Sequence, residues 1–419
     1  MTNTIQDNAT AFDFLPNHPA GVCAPKGWRA GNVYSGLKTY GAGKLDLGLL
    51  VSDVPAAAAG VFTTNVVRAA PVLLDEEVVG RGLAQAIIYN AGIANACTGE
   101  QGLVDAREMA TIAAAKLNIA PELVLVTSTG VIGHLLPMDK IRQGVANIEP
   151  VYGESAGANA SFCIMTTDTR PKRCVVRLNL GGKMVIIGGM CKGAGMIHPN
   201  MATMLCYLTS DVAATPQYLQ KLLRELVDDS FNAITVDGDT STNDSVLLLA
   251  NGLADNPVLG AGASAEDEAK FKAALNAIMI YLAKEIARDG EGATKLIEVR
   301  VRGAKDKTEA RLAARTAAGS SLLKAAVYGS DPNWGRTIAA MGRSGAKFDA
   351  GKTDIWFGEV ALMLSGAPQP FEKAVAVAAL EGPTVYITVD LHTDGDGSAI
   401  AWGCDLTEQY VVINSEYET

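Results

Sequence analysis

Largely apolar runs of strand length alternate with amphipathic stretches along most of the chain. Gln85–Asn90 and Leu123–Ser128 are two such runs, and each predicts a buried strand. Between them, Gly102–Leu117 has apolar side chains at helical spacing, which predicts a helix that packs through one face. Strands and helices that alternate in this way are typical of the α/β class.

Turn and capping residues mark where several predicted elements begin or end. The Gly181-Gly182 pair separates two strand-like runs and supplies the positive φ angles of a tight hairpin. Thr215 fits the cap of a helix that we expect to reach about Asp229. The longest helix is predicted over Ser264–Arg288, with acidic residues in its first turn. Its apolar stripe consists of Phe271, Leu275, Ile278, Leu282 and Ile286.

Composition and charge limit the classes of protein to which the chain can belong. The chain has 419 residues, of which 48% are hydrophobic, and a formal net charge of -10. Because single hydrophobic cores stop growing near ~250–300 residues, we expect two or more substructures. The negative balance disfavours nucleic acid and anionic membranes as partners, since both require clustered Lys and Arg. A negative net charge is still compatible with a local basic pocket that binds an anionic substrate.

The sequence shows no targeting signal and no metal-binding pattern. No apolar run approaches the ~18–20 residues of a membrane span, and the N-terminus lacks the pattern of a signal peptide. The seven cysteines are spread singly, which predicts free and mostly buried thiols in a reducing compartment. The four histidines have no zinc-ligand spacing. We therefore expect a cytoplasmic protein without a metal site.

One segment combines glycine, lysine and threonine in an unusual pattern. From Gly188 the chain reads GGMCKGAGMIHPNMATMLCYLTSDV, with Lys192 among glycines and Thr203 in an apolar, strand-like run. The spacing GxxxxGK[ST] of a phosphate loop is absent. Taken alone, the glycine-rich part is compatible with a flexible turn, and Thr203 with an ordinary β-branched strand residue. The local pattern alone therefore assigns no function.

The same segment resembles the signature of a known enzyme family. It is very similar to KG[SA]GMIxPNMATML of the glutamate N-acetyltransferases, also called ornithine acetyltransferases, of the ArgJ type. Other blocks of that family occur in the family's order along nearly the whole chain. They are FTTN (62–65), ACTGEQG (96–102), TSTGVIG (127–133), MTTDTRPK (165–172), FNAITVDGDTSTNDS (231–245), DGEGATK (289–295), GSDPNWGR (329–336) and NSEYET (414–419). Long blocks in a shared order are far more specific than one short motif.

The resemblance implies a fold and a processing event. The implied fold is the DmpA/ArgJ-like α/β fold of N-terminal-nucleophile enzymes. In the family the precursor cuts itself at an Ala-Thr bond, which matches Ala202-Thr203 here. The cut would give an α chain of residues 1–202, and a β chain of residues 203–419 that stays associated with it. The family assembly is commonly a heterotetramer of two α and two β chains.

The resemblance also makes Thr203 the nucleophile. A threonine hydroxyl is weak until a base removes its proton. After cleavage, the α-amino group of Thr203 would lie next to its hydroxyl and, with a reference pKa near ~7.7–8.0, could act as that base. The family's oxyanion-hole pair matches Thr129 and Gly130, which we expect in the turn after the strand Leu123–Ser128.

Further positions match the family's substrate-binding residues. Lys192 can pair with a carboxylate, and Glu291 can hold an ammonium group. Thr166 is preferred to Thr167, because alternation along a strand would let only one of them face the site. The predicted substrate-binding set is Thr166, Lys192, Thr203, Glu291, Asn414 and Thr419.

The implied reaction is a ping-pong acetyl transfer in arginine biosynthesis. Thr203 would take acetyl from N2-acetyl-L-ornithine, ornithine would leave, and L-glutamate would accept the acetyl group. No cofactor or metal is required, and the expected partners are these small molecules and the two halves of the chain. Some family members also use acetyl-CoA as a donor, acting as amino-acid N-acetyltransferases. Nothing in this sequence decides that point.

Two departures and two rival interpretations remain open. Ile93 stands where the family commonly has Asn, and His198 stands where many members have a small residue. An N-terminal-nucleophile aminopeptidase of similar fold is one rival, although such enzymes typically use serine. A non-catalytic, amino-acid-binding homologue is the other.

Overall fold

The computed structural model describes residues 12–38, 43–198 and 204–416. Helices and strands alternate through these ranges, so the predicted α/β class is confirmed. The strands of the described residues form one sheet of nine strands and another of six. Each sheet has its own hydrophobic core, as expected for a chain too long for a single core.

The first sheet takes the order β1-β6-β7-β8-β9-β3-β4-β5, and β2 pairs with β3. Its strands are β1 (Asp13–Pro16), β2 (Trp28–Val33), β3 (Leu47–Phe62), β4 (Leu83–Ile93), β5 (Val124–Val131), β6 (Lys172–Leu180), β7 (Lys183–Lys192), β8 (Leu205–Ser210) and β9 (Ser245–Ala250). The pairs β4–β5 and β8–β9 are parallel, and the others are antiparallel. The predicted hairpin is confirmed: Gly181 and Gly182 join β6 to β7 with φ angles of 55° and 80°.

The first sheet folds over on itself. The 16-residue strand β3 has a register shift between Val51 and Ala56, and it reaches β9 only through its C-terminal part. Strands that are not neighbours in the sheet therefore pack face to face. Tyr89 of β4 lies with its ring centroid 5.7 Å from that of Tyr207 on β8, whose hydroxyl is hydrogen-bonded to Thr127 of β5. Because the sheet folds over in this way, the end of β5 lies close to the end of β7.

The second sheet has the order β13-β12-β11-β14-β10-β15. Its strands are β10 (Leu296–Ala304), β11 (Asp354–Phe357), β12 (Val360–Leu364), β13 (Ala367–Pro368), β14 (Thr384–Asp390) and β15 (Gly397–Cys404). Among the strand pairs described for this second sheet, β10 and β14 run parallel and the others are antiparallel.

The helices cover the faces of both sheets. They are α1 (Ala70–Gly80), α2 (Gly99–Leu117), α3 (Met138–Asn147), α4 (Glu154–Cys163), α5 (Pro216–Val227), α6 (Ala265–Arg288), α7 (Lys307–Ala318), α8 (Ser321–Tyr328), α9 (Trp334–Gly342), α10 (Lys373–Ala378) and α11 (Glu408–Glu416). The caps predicted for α5 and α6 are confirmed, since the hydroxyls of Thr215 and Ser264 accept from Tyr218 N and Asp267 N. The predicted stripe of α6 is fully buried, and this helix contacts β6, β7 and β15, so it bridges the two sheets.

Two further expectations can be compared with the described residues. All seven cysteines are free; six are buried and Cys97 is exposed, as the single spacing predicted. In the ranges that the structure describes, no helix is both long enough and apolar enough to cross a membrane.

Candidate active site

A cavity of about 530 Å³ opens where several strands of the first sheet begin or end. This volume suits a small metabolite. Strands β5 and β7 end at the cavity, and β8 and β9 begin beside it. Its lining contains the predicted site residues that the structure describes, namely Thr129, Gly130, Thr166, Lys192, Glu291 and Asn414. The fold therefore brings together residues that are far apart in sequence.

Thr129 and Gly130 lie within β5, so their predicted placement in a turn is wrong. The backbone of β5 stays paired with β4 through Val131, although the apolar run ends at Ser128. Gly130 has a φ angle of 129°, and a Cβ there would lie 2.2 Å from the carbonyl carbon of Gly92. Only glycine fits this approach of two backbones. Thr129, 9% exposed, turns its hydroxyl toward Lys192.

Lys192 is the last residue of β7 and is 8% exposed. Its Nζ donates to Thr129 Oγ1 at 3.3 Å. Burial lowers the pKa of Lys192, an effect that the charges of Asp168, Asp244 and Glu291 oppose. A buried cation with its charge only partly balanced is suited to an anionic substrate group.

The flexible-turn interpretation of the glycine-rich segment is wrong for its first part. Gly188 and Gly189 lie inside β7. A Cβ on Gly188 would lie 2.2 Å from the carbonyl oxygen of Gly21, so the glycine permits a close backbone approach. The chain leaves the strand only after Lys192.

Thr166 and Thr167 lie in a bend that follows α4, and the strand assumed for them is wrong. Because no strand alternation applies there, both residues line the cavity. The amide of Thr166 donates to Asp168 Oδ2 at 3.0 Å. The preference for Thr166 over Thr167 is therefore left without its geometric reason.

Glu291 and Asn414 line the cavity from the helical part of the structure. Glu291 follows the C-terminus of α6 and is 5% exposed, and its amide donates to the carbonyl of Ala194 at 2.9 Å. Asn414 lies on α11 and donates from Nδ2 to Glu291 Oε2 at 2.7 Å. The C-terminal helix thus reaches the cavity. The predicted role of Asn414 in substrate binding requires this placement.

Asp244 is a cavity residue that the sequence reasoning missed. It precedes β9, is 2% exposed, and accepts from Ser241 and from the backbone N–H of Met204. Among the residues that the structure describes, its Oδ2 has no hydrogen-bond partner. Burial raises the pKa of this carboxyl well above its usual value, which favours the protonated form. Asp244 lies in the family block FNAITVDGDTSTNDS, close to the start of an apolar run, and this position could have marked it as a candidate site residue.

The remaining cavity lining offers little for metal binding. His134 lines the cavity, together with apolar side chains such as Ile132 and Met204. Within the described ranges, no three His, Cys, Asp or Glu side chains are grouped in a way that could hold a metal ion.

Three predicted site residues lie outside the described residues, and the two departures from the family pattern, Ile93 and His198, are not among the described lining residues. Ala202, Thr203 and Thr419 fall outside the described residues, so their roles stay predictions. Ile93 ends β4, and its carbonyl accepts from Asn90 Nδ2. His198 Nδ1 is 2.9 Å from Thr235 Oγ1, and burial lowers the pKa of His198 to about 4. His198 is therefore uncharged at neutral pH.

This arrangement places a hydroxyl, a buried cation and a carboxyl group around one cavity. The hydroxyl of Thr129 and a strand-end backbone lie on one side, where an oxyanion could be stabilised. Lys192 lies beside them, and Glu291 also lines the cavity. A small molecule with a carboxylate and an ammonium group has a complement for each charge.

Comparison with known proteins identifies the family. The model of the ArgJ family matches residues 29–419. The arginine biosynthesis bifunctional protein ArgJ of Symbiobacterium thermophilum is 55% identical over 95% of this chain and 98% of its own. That of Bacillus subtilis is 48% identical over 95% of this chain and 96% of its own. A solved ArgJ structure from Bacillus halodurans, 47% identical, covers 51% of this chain and 100% of its own with a TM-score of 0.49. The chain belongs to the ArgJ family.

Proposed function

We propose that the protein transfers acetyl from N2-acetyl-L-ornithine to L-glutamate through an acetyl ester of Thr203. Membership of the ArgJ family makes it an enzyme of arginine biosynthesis. The proposed acetyl transfer is supported by one observation. A single cavity is lined by Thr129, Gly130, Lys192 and Glu291. These residues offer an oxyanion site, a cation for a carboxylate and an anion for an ammonium group.

The proposed reaction has two balanced half-reactions. Thr203 Oγ attacks the acetyl carbonyl while the α-amino group of Thr203 accepts the hydroxyl proton. The C–N bond of the donor breaks, this proton passes to the departing amine, and ornithine leaves an acetyl ester behind. The amine of glutamate then attacks the ester, its proton returns to Thr203 Oγ, and N-acetylglutamate leaves.

The proposed cut at Ala202-Thr203 would create that α-amino group. The cut would fall between β7 and β8, which are neighbours in the first sheet with Lys192 opposite Leu205. On its other side, β8 pairs with β9. Hydrogen bonds between β7 and β8 cross the proposed division, so residues 1–202 and 203–419 would remain one folded unit after the cut. We further propose that two copies of each chain form a heterotetramer.

We also propose acetyl-CoA as a second donor. The relatives that share 55% and 48% identity with this chain are both called bifunctional. With acetyl-CoA, the same ester of Thr203 would form and a thiol would leave in place of ornithine. The acceptor half-reaction would be unchanged.

One set of assays tests the proposal. We expect purified protein to run as two fragments on a denaturing gel and to exchange acetyl between acetylornithine and glutamate. Thr203→Ala is expected to remain one full-length band without exchange activity, whereas Thr209→Ala in β8 should remain cut. An uncut but active wild-type protein would contradict self-cleavage. Hydrolysis of aminoacyl amides without exchange would favour the aminopeptidase, and binding without either reaction would favour the non-catalytic homologue.

A further inference from the structure

A buried ion cluster lies behind the cavity and joins three parts of the chain. Lys172, at the start of β6, places Nζ 2.6 Å from Asp168 Oδ1 and 2.5 Å from Asp289 Oδ2. The side chains of Lys172 and Asp168 are 0% exposed, and that of Asp289 is 4% exposed. Burying three charges is costly unless each one is paired and hydrogen-bonded.

The hydrogen bonds of Asp168 lead to the first side of the site. Its Oδ2 accepts from the amide of Thr166 at 3.0 Å, and its Oδ1 accepts from the amide of Gly193 at 2.7 Å. Gly193 directly follows Lys192. One carboxylate therefore holds the backbone at Thr166 and directly after Lys192, two residues proposed to contact substrate.

The hydrogen bonds of Asp289 lead to the other side. Its Oδ2 accepts from the amide of Thr169 at 3.1 Å, and its Oδ1 accepts from the hydroxyl of the same residue. Asp289 stands two residues before Glu291, whose amide in turn donates to Ala194. The contacts thus form a closed ring that passes behind Thr166, Lys192 and Glu291.

Electrostatics favours the ionised states of Asp168 and Lys172. Burial alone would raise the pKa of Asp168, but the charges of Lys172 and Lys192 lower it below its usual range. Burial alone would lower the pKa of Lys172, but Asp168 and Asp289 raise it. Charge-assisted hydrogen bonds of this kind are directional, so they fix the geometry of the backbone that they hold.

We propose that Asp168, Lys172 and Asp289 form a positioning network that sets the spacing between the carboxylate-binding and ammonium-binding sides of the site. The network touches no substrate and acts through Thr166, Lys192 and Glu291. It rests on the substrate roles proposed above. Asp168 and Lys172 lie before the proposed cut and Asp289 lies after it, so the network also spans the two predicted chains.

Asp→Asn substitutions test the network without removing volume. Asp289→Asn is expected to raise the KM for acetylornithine about tenfold while the KM for glutamate changes less than about twofold, because glutamate has no ammonium side chain for Glu291 to hold. Asp168→Asn should raise both KM values, because it holds the residues proposed for the shared carboxylate. Both variants should keep a wild-type kcat within about threefold.

A matched control lies at the other end of the same helix. Asp267 is 9% exposed and accepts from the amide of Gly181, and it stands roughly 33 Å along α6 from Asp289 at 1.5 Å per residue. Asp267→Asn should lower the melting temperature without changing either KM. If it changes the KM values as Asp289→Asn does, the network has only a general structural role and the proposal is wrong.

Two further measurements keep the test decisive. If Asp289→Asn does not fold, Thr169→Val removes one donor to Asp289 from an exposed position and should show the same pattern more weakly. Calorimetric binding of ornithine needs no turnover, so a wild-type protein that binds ornithine without exchange would contradict the proposed function alone. Wild-type ornithine affinity in folded Asp289→Asn would overturn the network.

Discussion

The two sides of the cavity are built from different kinds of structure. Thr129, Gly130 and Lys192 lie at the ends of strands in the first sheet. Thr129 and Lys192 are each less than 10% exposed. Glu291 follows a helix, and Asn414 lies on α11, which has no buried residue over Glu408–Glu416. We call these the strand side and the helix side.

The difference separates chemistry from recognition. Groups that stabilise a transition state must be held in place before the reaction, and strand ends paired on the sheet provide that rigidity. Groups that bind substrate tolerate a less constrained support, because a small displacement weakens affinity rather than the chemical step. Changes at Thr129 and Gly130 on the strand side should therefore affect stability and kcat, and changes on the helix side should affect KM.

The largest effect is expected for Gly130→Ala on the strand side. A Cβ would lie 2.2 Å from the backbone of Gly92 at a φ angle of 129°, so both sterics and strain oppose the folded state. We expect a loss of several kcal/mol in the free energy of unfolding and no measurable exchange. Gly133→Ala is the control, since its φ is 87° with nothing within 4 Å of the Cβ, and it should cost about 1 kcal/mol. Equal melting temperatures for the two variants would contradict the rigid strand side.

Thr129→Val should have the next largest effect. It keeps the shape of the side chain and removes the hydroxyl that Lys192 contacts. If this hydroxyl stabilises the oxyanion, kcat should fall about 10²–10³-fold with little change in KM. Thr129→Ser keeps the hydroxyl and should retain most of the activity in the same steady-state assay. A valine variant that changes only KM would remove Thr129 from the oxyanion site.

Gly195→Ala tests the helix side by steric displacement. A Cβ would lie 2.4 Å from the carboxylate of Glu291, which can move because it is the far end of a side chain. We expect the KM for acetylornithine to rise about tenfold, with the melting temperature nearly unchanged. Gly80→Ala, where nothing lies within 4 Å of the added Cβ, should leave both quantities unchanged. A collapse in kcat instead would show that the two sides are not separable.

Asn414→Ala should have a smaller effect of the same kind. It removes the 2.7 Å hydrogen bond to Glu291, which contributes about 1 kcal/mol because Asn414 is exposed to solvent. The KM for acetylornithine should rise several-fold, and kcat should hold. Ser415→Ala, whose hydroxyl bonds only within the helix to Val412, should match wild type in the same assay. Similar losses in both variants would point to fraying of α11 rather than to Asn414.

The smallest effect is expected outside both sides, at His198. Its folded pKa of about 4 lies below the reference value of about 6.5, so the unfolded chain binds a proton first as the pH falls. The stability contribution of neutral His198 is therefore present above pH about 6.5 and is lost between there and pH about 4. His198→Asn should reduce that loss by about 1 kcal/mol at pH 5, after allowance for partial exposure. Urea unfolding of both proteins at pH 7 and pH 5 measures it, and an equal loss in the variant would exclude His198 as the cause.

Local rules predicted the parts of the fold that depend on near neighbours. The caps of α5 and α6 and the Gly181-Gly182 hairpin involve residues a few positions apart, and all three are confirmed. The turn assigned to Thr129 is wrong because pairing with β4 extends β5 beyond its apolar run. The strand assumed for Thr166 is wrong for a similar reason. Its backbone conformation depends on where α4 ends, which the local sequence did not show.

Long-range features were beyond local prediction. Asp244 was missed because its importance comes from its burial and its position in the cavity, and neither can be inferred from a spacing. The cluster of Asp168, Lys172 and Asp289 was missed because 117 residues separate the last two.

The sequence by itself determined the family, the α/β class and the candidate residues, because ordered blocks and helical or strand periodicity are properties of the chain alone. Only the tertiary structure decided which of these residues meet. Lys192 contacts Thr129 across 63 residues because the sheet folds over, and Asn414 contacts Glu291 across 123 because α11 docks beside the end of α6. Burial also decides the protonation of Asp244 and His198, since the pKa of a group depends on the solvent and charges around it.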